Sequence, residues 1–127
     1  RLMRLQKKFS NSIMLTQKTN DMFAEISNCH YGLCSGGLTT YEFARLGVPF
    51  GIVSQVRHQL STAQQWEKLG IATNLVLISN KTPKKIEHFI EDLLSEKIPQ
   101  RKTSLVDGLG SKRVSTEIVK LIKSDKY

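Results

Sequence analysis

A chain of 127 residues, 39% hydrophobic and 24% charged, carries enough apolar side chains to bury the core of one ordinary domain, which excludes a disordered segment. No apolar run approaches the roughly 20 residues that span a bilayer, and the basic start has neither the apolar centre nor the cleavage site of a secretory signal, so a soluble, cytoplasmic protein is expected. The net charge of +8 gathers at the ends, with five Lys/Arg and no acid in residues 1–19, three against four in residues 20–80 and eleven against seven in residues 81–127. Solvated helices or a face toward a partner domain fit that distribution better than a nucleic-acid surface.

The opening Leu2-Met3-Arg4-Leu5 reads as the middle of an amphipathic helix, which leads us to expect one lobe of a longer protein. Ser12–Thr16 is a short strand candidate, and Thr19-Asn-Asp21 caps a helix running through Met22, Phe23, Ile26 and Cys29. Tyr31–Ser35 is the next apolar strand. The helix from Thr39 to Leu46 is stopped by Gly47 and Pro49, and Pro49-Phe-Gly-Ile-Val-Ser54 is a buried strand bounded by polar residues. A helix from His58 to Leu69 closes at Gly70, a further strand lies within Thr73–Ser79, and Thr82-Pro83 opens a helix whose Ile86, Phe89, Ile90, Leu93 and Leu94 repeat at helical spacing. Asp107-Gly-Leu-Gly110 introduces a last amphipathic helix through Val114, Ile118 and Ile122. Four strands alternating with helices predict an α/β fold, a Rossmann-like parallel sheet with helices on both faces and ligand loops beyond the strand C-termini.

The segment from His30 to Pro49 carries the chemistry. It reads as a strand, a glycine turn and a helix start, the arrangement that binds anions. Ser35, Gly36 and Gly37 let backbone approach a ligand, while Thr39 or Thr40 caps a helix whose unpaired N–H groups and positive dipole end attract phosphate. Glu42, one turn inside, suits a ribose diol or is a surface glutamate near a positive helix end. Gln55-Val-Arg57-His58-Gln59 leaves the next strand at the same sheet edge, so its polar side chains are placed to converge on one ligand. Alternatively, Gln59 serves only to cap its helix. Trp66 reads as a partly buried anchor.

Gly32-Leu-Cys34-Ser-Gly36 also fits the small-x-nucleophile-x-small pattern of a hydrolase elbow, with His58 or His88 as base. The usual hydrolase sheet needs more chain, and only Glu42 stands between Cys34 and His58 to orient an imidazole, so a small buried thiol is the plainer reading. Cys29, His30 and Cys34 offer metal-ligand chemistry within six residues. Zinc asks for a fourth ligand and usually a Cys-x-x-Cys knuckle, so neither metal nor cofactor is expected.

Gly36-Gly37-Leu38-Thr39-Thr40-Tyr41-Glu42, Leu46-Gly47-x-Pro49, Arg57-His58-Gln59 and the Ala63 to Gly70 helix together resemble the C-terminal lobe of GT-B-fold nucleotide-sugar enzymes. Two families share this pattern: the family 28 glycosyltransferases that include the lipid II-forming N-acetylglucosaminyl transferase, and the UDP-sugar hydrolase of pseudaminic acid biosynthesis with its spore-coat polysaccharide relatives. The second is closer, through His58-Gln59-Leu60-Ser61-Thr62-Ala63 and Asp107-Gly-x-Gly110-x-x-Arg113-Val114, and the similarity runs along nearly the whole chain. It implies one nucleotide-sugar-binding domain over 1–127, the C-terminal part of a hydrolase in nonulosonic, sialic-acid-like or surface polysaccharide biosynthesis. The alternatives are the donor lobe of a family 28 type transferase and a non-catalytic domain fused to a synthetase such as an acylneuraminate cytidylyltransferase. The resemblance further implies that Ser35, Gly36, Gly37, Leu38, Thr39 and Thr40 hold the diphosphate, Glu42 the ribose or a nearby group, and Gln59, Ser61 and Thr62 the diphosphate or sugar. His58 stands where these families often have Asn or Asp. An N-terminal lobe of the same protein then supplies the catalytic or acceptor groups, so this part alone binds a UDP-sugar without turnover; an apolar patch left by that lobe leaves room for a homodimer.

Overall fold

The computed structural model describes Met3, Lys7, Thr16, residues 18–95 and residues 105–124. In chain order the elements are α1 (Met22–Ser27), β1 (Gly32–Cys34), α2 (Thr39–Leu46), β2 (Phe50–Ser54), α3 (Gln59–Lys68), β3 (Ala72–Leu77), α4 (Thr82–Leu94) and α5 (Gly110–Ser124). The strand expected at Ser12–Thr16 lies outside the described residues, apart from Thr16, which is in neither helix nor strand.

The three strands form a parallel sheet in the order β1-β2-β3, pairing Gly32 with Phe50, Cys34 with Ile52 and Phe50 with Ala72. β2 is central, and of its five residues only Val53 is less than fully buried, as an inner parallel strand covered on both sides requires. Side chains alternate along it. Phe50 and Ile52 point into one cluster with Ile26, Phe43, Ala44, Trp66 and Ile71, whereas Val53 packs on the opposite side against Leu75, Phe89 and Leu93. Helices α1, α2 and α3 thus cover one face and α4 the other, which is the Rossmann-like arrangement anticipated from the sequence.

Local chemistry sets the helix ends. The Asp21 carboxylate caps α1 by accepting the Ala24 N–H at 2.9 Å. α2 ends on Gly47 in the left-handed conformation, φ 69°, where its N–H donates to the Ala44 carbonyl. Pro83 opens the first turn of α4, where no backbone donor is lost.

β3 departs from the plain strand expected within Thr73–Ser79. Its register against β2 slips between Ile52 and Ser54, and Val76 takes φ 65°, a left-handed conformation unfavourable for a β-branched residue. Side chains hold the bulge: Asn74 Oδ1 accepts the Val76 N–H at 2.9 Å, and Glu67 on α3 accepts the Asn74 N–H at 3.2 Å.

The last helix is longer than the segment its apolar spacing marks. All of α5 is exposed, including Val114, Ile118, Leu121 and Ile122. Asp107 organises its entry, with the carboxylate accepting the Leu109 N–H at 2.9 Å and both Arg113 guanidinium donors at 2.7 and 3.0 Å. Among the described residues no helix is long and apolar enough to cross a membrane.

Candidate functional site

Parallel strands deliver their C-termini to one edge of the sheet, so the loops β1–α2 and β2–α3 leave it side by side. The first is Ser35–Leu38. It folds tightly: the Gly37 N–H donates to the Ser35 carbonyl at 2.8 Å, and the Thr40 and Tyr41 N–H groups donate to Gly37 and Leu38 at 3.2 and 2.9 Å. The second is Gln55–His58, closed by the Gln59 side chain, whose Oε1 accepts the Gln55 N–H at 2.9 Å.

Gly36 is where the two loops touch. A Cβ at that position would stand 2.8 Å from Gln59 Cβ and 3.0 Å from the Gln59 carbonyl oxygen, so only glycine lets the loop lie against the start of α3. Gly37 is different. A Cβ there would meet nothing nearer than Ser35 Oγ at 3.9 Å, so this residue faces open space. Of the two glycines, one brings the elements together and the other leaves room beside them.

The expected threonine caps are not made. Leu38 already has helical angles and stands at the N-cap of α2 with no side-chain capping bond. The turn begins a residue early because Thr40 is drawn inward: fully buried, its hydroxyl donates to the Gly37 carbonyl at 2.8 Å and accepts the Trp66 indole N–H at 3.0 Å. Thr40 therefore braces the loop from beneath. The Leu38 and Thr39 amides donate to no other described backbone group and remain as donors at the positive end of α2.

Glu42 is half-buried in the first turn of α2, one turn on from the highly exposed Leu38. His58, not Gln59, is the N-cap of α3; it is exposed, and its carbonyl accepts the Ser61 hydroxyl at 3.1 Å. Since Gln59 Oε1 is engaged by Gln55, its Nε2 keeps two N–H donors, the polarity an anionic oxygen requires. Ser61 and Thr62 are not part of the loop junction. They line a neighbouring cleft with Tyr41, Gln65, Trp66 and Leu69, of which Tyr41, though within the glycine motif, and Gln65 were not among the expected site residues. The i,i+4 spacing of Ser61 with Gln65 and of Thr62 with Trp66 is the signal that places them on one stripe of α3.

Burial pushes the Cys34 thiol up to about 12, so it stays protonated across neutral pH and lacks the thiolate that an elbow nucleophile needs. His88 is on α4, where its Nδ1 lies 3.1 Å from Glu91. α1 ends at Ser27, short of the Cys29 expected within it, and the Cys29 Sγ donates back to the Glu25 carbonyl at 3.3 Å. Among the described residues, no three His, Cys, Asp or Glu side chains gather as a metal would require.

Fold and site together define a Rossmann-like parallel α/β fold with a glycine loop and a second helix start at the C-terminal edge of its sheet. Over 63 residues the chain is 35% identical to the spore coat polysaccharide biosynthesis protein SpsG of Bacillus subtilis (strain 168), a stretch that covers 50% of this chain and 19% of that protein. The match thus spans about a fifth of the relative's length. No protein-family model and no solved structure matches the chain.

Proposed function

We propose that this chain is the nucleotide-sugar-binding lobe of an enzyme that hydrolyses a UDP-sugar during the synthesis of surface polysaccharide or sialic-acid-like sugars. The observation that carries this reading is the contact of Gly36 with Gln59. It sets the donor-rich end of α2 and the Gln59 side chain at one point of the sheet edge. In this reading the Leu38 and Thr39 amides, the α2 dipole and Gln59 Nε2 take the diphosphate, and Glu42 accepts from the ribose diol. Ser35 and Gly37 form the open wall of the site, and Thr40 fixes the loop without touching ligand. The name of the relative supports the polysaccharide part of the proposal. The groups that break the sugar–phosphate bond come from another lobe of the same protein.

Calorimetric titration of the chain with UDP tests it. Glu42→Ala is expected to weaken UDP about tenfold, the loss of a charge-assisted hydrogen bond, with an unchanged circular dichroism spectrum. Equal affinity in the variant removes Glu42 from the site.

A further inference from the structure

Among the described residues, α4 is the one helix packed on the second face of the sheet, and it covers only part of that face. Leu75, Phe89 and Leu93 close the core there. Leu33 on β1 reaches the same face, converging with Phe89 and Leu75 above Gly51, yet it is 45% exposed. An apolar groove lined by Tyr31, Leu33, Phe89, Ile90, Leu93 and Leu94 runs between β1 and α4, and its outer members Ile90 and Leu94 are 44% and 76% exposed. β1 is also an edge of the sheet, and Gly32–Cys34 hold no charge or proline to blunt contact with another chain. A parallel sheet of this kind is covered by helices on both faces, so the strip over Leu33 is one helix short.

The charge order of α4 identifies the occupant. Lys84 and Lys85 lie in its first turn with no acid, and Glu91 and Asp92 in its last turn with no base. Both ends run against the helix dipole, which favours acids at the N-terminus and bases at the C-terminus. An antiparallel copy of the same helix answers both mismatches. In one register, centred on His88, Ile86 stands opposite Ile90, and Lys84 of either copy falls beside Glu91 of the other. Lys84, Ile86, Ile90 and Glu91 share one surface of α4, as that pairing needs. Glu91 meets its own His88 Nδ1 through Oε2 at 3.1 Å, which leaves Oε1 for the lysine. We propose that two copies of this chain associate about a two-fold axis through α4, each laying its helix along the uncovered strip over the other's Leu33. A patch that holds both a base and the acid that complements it satisfies a two-fold interface, where the same surface must serve both sides. The association is independent of any nucleotide at the glycine loop.

Sedimentation equilibrium of the full chain tests it. The parent is expected to show a monomer–dimer equilibrium with a Kd on the order of micromolar, as suits an interface of modest size. Lys84→Glu and Glu91→Lys, both at exposed helix positions, are each expected to weaken the dimer about tenfold by setting like charges together, with an unchanged circular dichroism spectrum. An equimolar mixture of the two variants is expected to dimerise as the parent does, because each then offers the charge that the other lacks. A contact within one chain gains nothing from mixing. A chain that stays monomeric at every concentration, a dimer indifferent to both reversals, or a mixture no tighter than the single variants overturns the proposal.

Discussion

Gly36 and Gly37 are adjacent and chemically identical, yet the structure gives them opposite tolerance. Alanine at 36 must push Gln59 or the loop aside, whereas alanine at 37 enters open space. Gly36→Ala is expected to lower stability by about 1–3 kcal/mol, as overpacking does, and to weaken anion binding, while Gly37→Ala leaves the urea midpoint near that of the parent. Equal midpoints for the two variants contradict the junction. The cysteines divide similarly. Cys29 is exposed, and Cys34 is held near 12 by burial. Iodoacetamide at pH 8 is therefore expected to label Cys29 and leave Cys34 unmodified until the chain unfolds; fast labelling of Cys34 in the native chain counts against a buried neutral thiol. The glycine turn was legible in the sequence because Ser-Gly-Gly after an apolar run is a local signal. The inward turn of Thr40 was not, because its hydroxyl is oriented by Trp66, 26 residues away, and no local spacing carries that information.

The helices announced themselves through apolar periodicity and their glycine and proline boundaries, whereas of the caps read from the sequence Asp21 is made and the threonine cap of α2 is not. α2 starts at Thr39 and ends at Leu46, as Gly47 and Pro49 dictate, and α4 begins at Thr82 beside Pro83. Strands were less legible in detail: the β3 bulge at Val76 depends on Asn74 and Glu67 side chains from two elements, which an apolar run does not encode. At α5 the sequence marked the entry motif but not its ion pair. Arg113 and the Leu109 N–H hold the Asp107 carboxyl at about 2, below its ordinary 3.8. With the folded value depressed, the pair's contribution is complete above the ordinary aspartate range and is lost as pH falls from about 4 toward 2. A carboxyl carbon NMR titration is expected to give Asp107 a midpoint near 2. A midpoint near 4 contradicts the closed pair. The partners are solvent-exposed, so the change belongs to the entry of α5 and not to the core.

Across the whole molecule, the sheet puts two loops at one edge, and along the sequence the basic excess falls outside the segment that holds them. Residues 20–80, which hold both loops, carry three Lys/Arg against four acids. In the function we propose, an anion there is taken by backbone donors, a helix end and one glutamine rather than by a cationic patch, which favours a small phosphorylated ligand over a nucleic-acid backbone. The amide spectrum of the chain during a UDP titration tests this most directly. We expect saturable shifts confined to Ser35–Thr40, Glu42 and Gln59; a spectrum in which those resonances stay fixed while UDP rises to saturating concentration contradicts a nucleotide-sugar site at this edge.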